Sequence, residues 1–275
     1  MGERKRQNFY LAKNIKKMQT NKVKLVEMTL KEVKSKEKFE VAILPWGSCE
    51  PHNLHLPYGC DSLTVEKISI ISAEKANKKG AKIIVLPTIP IGVNSNLFGF
   101  PMTLHFSPST QLAIIKDILR AIEIHKIYKL LIINGHGGNE FKAILREVYG
   151  FTKVHIFLLD WWKIGEDICK DVCEDTSGEH GNESETSWMM YLYPNLVHLE
   201  WADDGKVKKS RFKELEEKKI WMTRPWHLLT TNSGYGNPKK ATEKKGEKIV
   251  EVSTDRISSF LIKLSKTKLD KKFPY

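Results

Sequence analysis

Four short apolar runs, each followed by a stretch of helical period, constrain this chain more than any other feature. Residues 41–46 (VAILPW), 82–87 (KIIVLP), 129–134 (KLLIIN) and 153–159 (KVHIFLL) read as buried strands. Helical spacing of apolar residues runs over Ser62–Lys79, closed by Gly80, and over Gln111–His125, Glu140–Tyr149 and Ser184–Tyr193. Lys239–Lys266 ends the chain with the same spacing and room for one break. Such alternation predicts right-handed βαβ units and an α/β fold with a mostly parallel sheet covered on both faces. Thr88–Pro108 has Pro and Gly at intervals and no period, so it is expected to be irregular. With no internal repeat and no linker, residues 1–275 are expected to form a single domain whose residues 1–25 are a basic extension.

Composition narrows the class. Apolar residues are 41% of the chain, enough for a core, but no run approaches the ~20 needed to cross a bilayer. The basic N-terminus lacks the apolar run of a secretory signal, and a cytoplasmic protein is expected. Lys and Arg number 45 against 33 acids, a net charge of +12, which raises the question of nucleic acid. The lysines are scattered, many alternate with Glu, and no zinc-finger or RNA-binding signature accompanies them. They are therefore read as solvated surface, with neither nucleic acid nor membrane as partner. Cys169 and Cys173 lack the second pair of a zinc knuckle. Cys49 and Cys60 have no base placed beside them by any motif, which a catalytic thiol requires.

In parallel sheets ligands bind beyond the carboxyl ends of strands. Three loops suited to that place are rich in His, Asp and Glu. The first, Gly47–Asp61, holds Glu50, His52, His55 and Asp61 between a strand and a helix. Imidazole and carboxylate together are the usual ligands of zinc, manganese and iron(II). Taken alone Asp61 could be only a helix N-cap before Ser62. The second, Asn134–Asn139, places His136 among glycines that let the backbone approach closely, with Asn139 suited to cap the next helix. The third, Gly178–Ser187, brings His180, Glu179, Glu183 and Glu185 to a helix start. Acids there are favoured by the helix dipole alone, but a cationic His is not.

These segments, GSCEPHNLHLPYGCD, NGHGGNE and EHGNESETSWMMYLYPNLV, resemble in order and spacing three signatures of the creatininase (creatinine amidohydrolase) family. SGYGNPKKATEKKGEKI, residues 233–249, resembles that family's C-terminal segment. The resemblance implies a three-layer α/β/α fold, a homo-oligomer (often a hexamer) and two divalent metal ions bridged by an aspartate. Zinc is the first expectation, with manganese or iron(II) as alternatives. Asp61 would be the bridge, Glu50 and His136 would complete one metal's shell, and His52 would bind the other. Creatininase carries Tyr and a ligating Glu where Gly137 and Gly138 stand here. Relatives with the Gly-Gly form carry an acid three residues after the third segment's His, so the resemblance implies Glu183 as the replacement ligand, with Glu185 as the alternative or a partner of the catalytic His180. His55 would be structural or support a ligand.

The implied reaction is hydrolysis of a C–N bond by a metal-activated bridging water, with His180 passing a proton to the leaving nitrogen and Glu185 orienting it or taking the first proton. The substrate is expected to be a small-molecule amide, cyclic or a formamide. Creatinine itself is disfavoured, because Glu174–Ser177 holds no Trp where creatininase has an aromatic wall; Trp161 or Trp162 would supply another. Peptide-amide trimming and a non-catalytic metal-binding scaffold are the competing readings.

Overall fold

The computed structural model describes residues 22–36 and 38–275. Most of the expected basic extension at 1–25 lies outside the described residues. Four strands form one sheet in the order β2-β1-β3-β4, with β1 at Val41–Trp46, β2 at Ile83–Val85, β3 at Lys129–Asn134 and β4 at His155–Asp160. Every pairing is parallel, and β1 matches Ala42 to Leu130 through Trp46 to Asn134 on β3. The sheet is that of the predicted α/β class.

Alternate side chains of the strands feed two separate cores, which makes three layers. Val41 and Ile43 of β1 join Leu131 and Ile133 under α1 (Cys60–Lys78), α4 (Glu183–Leu192) and α5 (Glu243–Lys266). Ala42, Leu44 and Trp46 join Leu130 and Ile132 under α2 (Pro108–Ile124) and α3 (Phe141–Glu147). A one-residue slip of β1 would exchange these two sets, so packing on both faces fixes its register.

Boundaries depart from expectation where backbone hydrogen bonding decides. β2 covers only Ile83–Val85, short of the predicted 82–87. Beyond it, the Pro45 carbonyl of β1 accepts from the Ile89 N–H at 3.0 Å, so the N–H that Pro45 lacks faces a stretch where the ladder has already ended. The helix α1 begins at Cys60, which puts Asp61 in its first turn rather than at the cap. Asn139 does not cap α3. Its Oδ1 accepts from Gln111 Nε2 (2.8 Å) and the Val93 N–H (3.1 Å) instead, tying the irregular stretch to the loop after β3. The C-terminal pattern is interrupted before α5, where Thr242 Oγ1 caps the helix by accepting from the Lys245 N–H. Gly246 lets α5 run against α4, since a Cβ there would collide with the Ser187 carbonyl. At its other end the buried Lys129 Nζ donates to the Leu264 (2.7 Å) and Thr267 (2.5 Å) carbonyls, satisfying helix-end acceptors that would otherwise lack donors.

Candidate metal centre

The carboxyl ends of the two central strands, β1 and β3, open into the first two His- and acid-bearing loops, and the start of α4 folds over both. The loop after β1 carries Glu50 and His52 and enters α1 through Asp61. The loop after β3 carries His136, and Asn134 clamps it by accepting from the His136 N–H (3.1 Å) and donating to the His136 carbonyl (2.9 Å). His180 and Glu185 come from the turn and first turn of α4, which Asn182 caps by accepting from the Glu185 N–H at 3.0 Å. Residues 233–236 lock these parts together. Ser233 Oγ donates to the Pro51 carbonyl (2.8 Å) and accepts from the Asn53 N–H (3.0 Å), while Tyr235 and His180 exchange backbone hydrogen bonds.

The three imidazoles are oriented in one way. His52 Nδ1 donates to the Glu50 carbonyl (3.0 Å), His136 Nε2 to the Val93 carbonyl (3.1 Å) and His180 Nε2 to the Pro51 carbonyl (2.8 Å). Each ring therefore turns its other nitrogen toward the carboxylates, the arrangement by which second partners fix the tautomer of ligating histidines. His52 Nε2 lies 3.0 Å from Asp61 Oδ1 and 3.7 Å from Glu185 Oε1. His136 Nδ1 lies 3.0 Å from Glu50 Oε1 and 3.1 Å from Asp61 Oδ2. His180 Nδ1 is 3.8 Å from Glu50 Oε1, and its ring stacks on His52 with centroids 4.1 Å apart. Asp61 thus stands between two donor groups. Glu50, Asp61 and His136 form one; His52, Asp61 and Glu185 form the other, with Cys60 in reach. Glu50 and His180 also converge on His52.

Three carboxylates confined in one buried place require compensating positive charge. Burial opposes a charged imidazole at His52, but Asp61, Glu185 and Glu50 overcome it and lift its pKa to about 10. Burial likewise opposes charge on His136, and Glu50 and Asp61 raise it well above the ordinary range. Burial alone would raise Asp61, but His52 and His136 hold it low. Glu185 is pushed up to about 7, chiefly by burial. His180 is held down to about 4 by burial and by the neighbouring His52. Glu50 Oε2 is buried without a hydrogen-bond partner, and Asp61 Oδ2 faces His136 without an aligned hydrogen bond. Orphaned carboxylate oxygens beside oriented imidazole nitrogens, whose protons a cation would displace, fit divalent cations, and the O and N donor set suits zinc, manganese or iron(II).

The expected ligands Glu50, His52, Asp61 and His136 are therefore brought together, and Glu185 joins them. Glu183 is not. It is wholly buried on the far side of α4, where its carboxylate accepts from the Glu174 and Asp175 N–H groups and pairs with Lys245 Nζ at 2.6 Å. The helical period decides between the two acids, because residues two apart on a helix point to different sides. Gly138 cannot be replaced by a ligating side chain without moving its surroundings, since a Cβ there would collide with the His136 ring and the Val93 carbonyl. His55 Nε2 bonds to Thr186 Oγ1 at 2.8 Å and lies apart from the cluster.

The cluster floors a cavity of about 780 Å³. Asn96, Trp162, Lys218, Arg224 and Trp226 are among its walls. Trp161 also reaches it but is mainly core, edge-on to Trp188. Sequence reading overlooked Trp226, which meets the His180 ring edge-on at 5.0 Å, and Arg224, which lies over the Trp226 ring at 5.3 Å and pairs with Glu179 at 2.5 Å. An aromatic flanked by Arg and Pro in TRPWHLL was the available signal.

The family model described as creatinine amidohydrolase matches residues 26–261. The chain belongs to the creatininase family. A crystal structure of a Bacteroides fragilis protein, assigned provisionally as a creatinine amidohydrolase, is 37% identical, with a TM-score of 0.86 over 91% of this chain and 99% of that one. A manganese form of creatininase is 25% identical, with a TM-score of 0.74 over 89% of this chain and 99% of that one. The 3-dehydro-scyllo-inosose hydrolase of Thermotoga maritima is 28% identical over 66% of this chain, a match that spans 60% of the relative's length. Membership makes the chain a hydrolase of this family. Among the described residues, no helix is long and apolar enough to cross a membrane.

Proposed function

We propose that this family member hydrolyses a C–N bond in a small cyclic amide or formamide at a two-cation centre. The observation that carries the reading is the pair of donor groups sharing Asp61 on the floor of the cavity, with the buried Glu50 Oε2 unpartnered. Glu50, Asp61 and His136 would hold one cation, and His52, Asp61 and Glu185 the other. Such a pair supplies Lewis acidity toward a carbonyl and an activated water at neutral pH.

The chain's own groups divide the remaining work. His180 keeps its proton on Nε2, where the Pro51 carbonyl accepts it, so Nδ1 faces the cluster as a lone pair. It would take a proton at Nδ1 first and release it to the leaving nitrogen afterwards, acting as base and then acid. Glu185, anchored by the Gly181 N–H at 2.5 Å, would serve as ligand rather than as His180's partner. Trp162 and Trp226 would flank a planar group, and Asn96 and Arg224 would donate to its polar edge.

A second reading has support of its own. The Thermotoga relative is named for 3-dehydro-scyllo-inosose, a hydroxylated ring with two carbonyls, and the cavity walls here carry several hydrogen-bond donors. Hydrolytic opening of a hydroxylated cyclic 1,3-diketone is the alternative, in which water adds to one carbonyl and the electron pair of the broken C–C bond leaves as the enolate of the other.

The test begins with metal content per chain in wild type and Asp61→Ala purified without chelator, followed by turnover of creatinine, other cyclic amides, formamides and dehydro-inososes. About two cations per chain, both largely lost in the variant, support the shared-aspartate centre. Absence of metal, with none taken up when zinc or manganese is supplied, overturns it. Activity confined to dehydro-inososes would replace the C–N reading with the second one.

A further inference from the structure

The two cation positions proposed above differ in what surrounds them. Glu50, Asp61 and His136 give three oxygen or nitrogen donors and all line the cavity. In the other group, His52 is wholly buried and is not among the lining residues, and a fourth side chain from the protein is present. That side chain is Cys60, the first residue of α1. It has no solvent exposure, and its Sγ lies within 4.8 Å of donor atoms from His52, Asp61 and Glu185.

We infer that Cys60 is a thiolate ligand of the second cation, which would make that position a closed four-donor site of His52, Cys60, Asp61 and Glu185. The inference rests on the two-cation reading and adds an asymmetry to it. Four protein donors around zinc are the mark of a closed site, whereas three leave a position open. The first position is open toward the cavity, where a substrate oxygen can reach it. The second shares Asp61 and Glu185 with the cavity lining, while His52 and Cys60 stand behind them with no solvent exposure.

Sequence and placement both favour the thiol as a donor. Cys60 and Asp61 are adjacent in the first turn of α1, so one backbone segment delivers both donors. Burial and the neighbouring Glu185, Asp61 and Glu50 push the Cys60 thiol well up, so it would become a thiolate only with a cation bound beside it. The Cys60 side chain also belongs to the core beneath α1, which offers the competing account of a cysteine kept for packing. The two accounts differ in metal preference. A soft sulfur donor favours zinc over manganese at the second position, while the all-oxygen-and-nitrogen first position suits either. Binding would release the thiol proton to solvent, as thiol ligation of metals does.

Cobalt(II), loaded into metal-stripped protein, separates the outcomes. Visible ligand-field bands report that cobalt is bound in the centre, and a near-ultraviolet sulfur-to-cobalt charge-transfer band reports a thiolate on it. Wild type is expected to show both. Cys60→Ser should lose the near-ultraviolet band and keep the visible ones, and Cys60→Ala should do the same if the serine variant folds poorly. Cys49→Ser and Cys173→Ser should retain both. With zinc and manganese supplied together, the zinc share of bound metal should fall in Cys60→Ser. Visible bands without a charge-transfer band in wild type, or a band that survives in Cys60→Ser, would overturn the inference and leave the metal centre standing. No cobalt uptake at all would overturn both.

Discussion

The floor and the rim of the cavity are built by opposite means. Glu50, Asp61 and His136 stand on short connections at the ends of the central strands, are nearly inaccessible to water, and are held by neighbouring backbone groups or by one another. Lys218, Arg224 and Trp226 come from the long stretch after α4, whose helices, Lys213–Glu216 and Trp226–Leu229, are four residues each. Arg224 is tied down by an ion pair in which it is 48% and Glu179 46% exposed. A floor of this kind can change only with loss of its chemistry. A rim of this kind can change at little cost to the fold, so it is where substrate choice is expected to reside.

The largest expected effect comes from breaking the floor at its shared member. Asp61→Asn keeps the shape but removes the charge that both donor groups use, on the scale of the ~3–5 kcal/mol lost when one partner of a buried charged set is removed. Both cations should leave together, with turnover falling to background, as read by elemental analysis and activity on the same preparation. Loss of one cation alone would show that Asp61 serves a single position.

The next effect contrasts two acids on one helix. Glu185→Gln should lower metal content toward one cation per chain and abolish most activity. Glu183→Gln should keep both cations, because Glu183 binds the 174–175 backbone and Lys245 instead. It should cost stability by about 1–3 kcal/mol, the scale of a buried hydrogen-bonding group left unsatisfied, measured by denaturant unfolding. Metal loss in Glu183→Gln with metal retained in Glu185→Gln would reverse the assignment.

These two acids also show what was legible in the sequence. The alternation of strands and helices, the sheet's parallel sense and the convergence of three loops could be read directly, because apolar period and loop position follow from backbone geometry. That Glu50, His52, Asp61 and His136 would meet was legible for the same reason, since they lie in the loops after strands or at a helix start. Which of Glu183 and Glu185 faces the other acids was not legible, because spacing from His180 does not tell which face of α4 meets the strands. Only the packing of α5 against α4, with Lys245 brought beside Glu183, settles which acid is turned away. Trp226 and Arg224 were overlooked for a different reason. The segment carrying them has no period, and its path over the cavity is a matter of tertiary structure alone.

Breaking the rim should leave the metals untouched. Trp226→Ala removes the ring that meets His180 edge-on and walls the cavity. Aromatic contacts of this kind contribute about 0.5–1.5 kcal/mol beyond area burial. The expected result is KM raised by roughly 10-fold, since 1.36 kcal/mol is one decade, with two cations retained. A fall in metal content would place Trp226 among the supports of the floor, and the separation of floor and rim would fail at that residue.

The smallest effect is expected at Arg224, and it distinguishes what the rim is for. Its ion pair with Glu179 is half exposed, and such pairs contribute about 0–1 kcal/mol. Arg224→Ala and Glu179→Ala should therefore each leave unfolding midpoints almost unchanged. If the guanidinium only braces the rim, the two variants should shift KM equally and in the same direction. If it also binds substrate, Arg224→Ala should raise KM while Glu179→Ala, which frees the guanidinium, should leave it equal or lower. Arg224→Lys adds a further division, because a lysine keeps the charge but cannot reproduce the planar fork or its stacking over Trp226. Recovery by lysine would mean that the substrate presents a negative charge, and no recovery would mean that it presents a planar acceptor pair. A half-exposed ion pair at the rim is thus the contact whose variants report most directly on the chemistry of the molecule that enters the cavity.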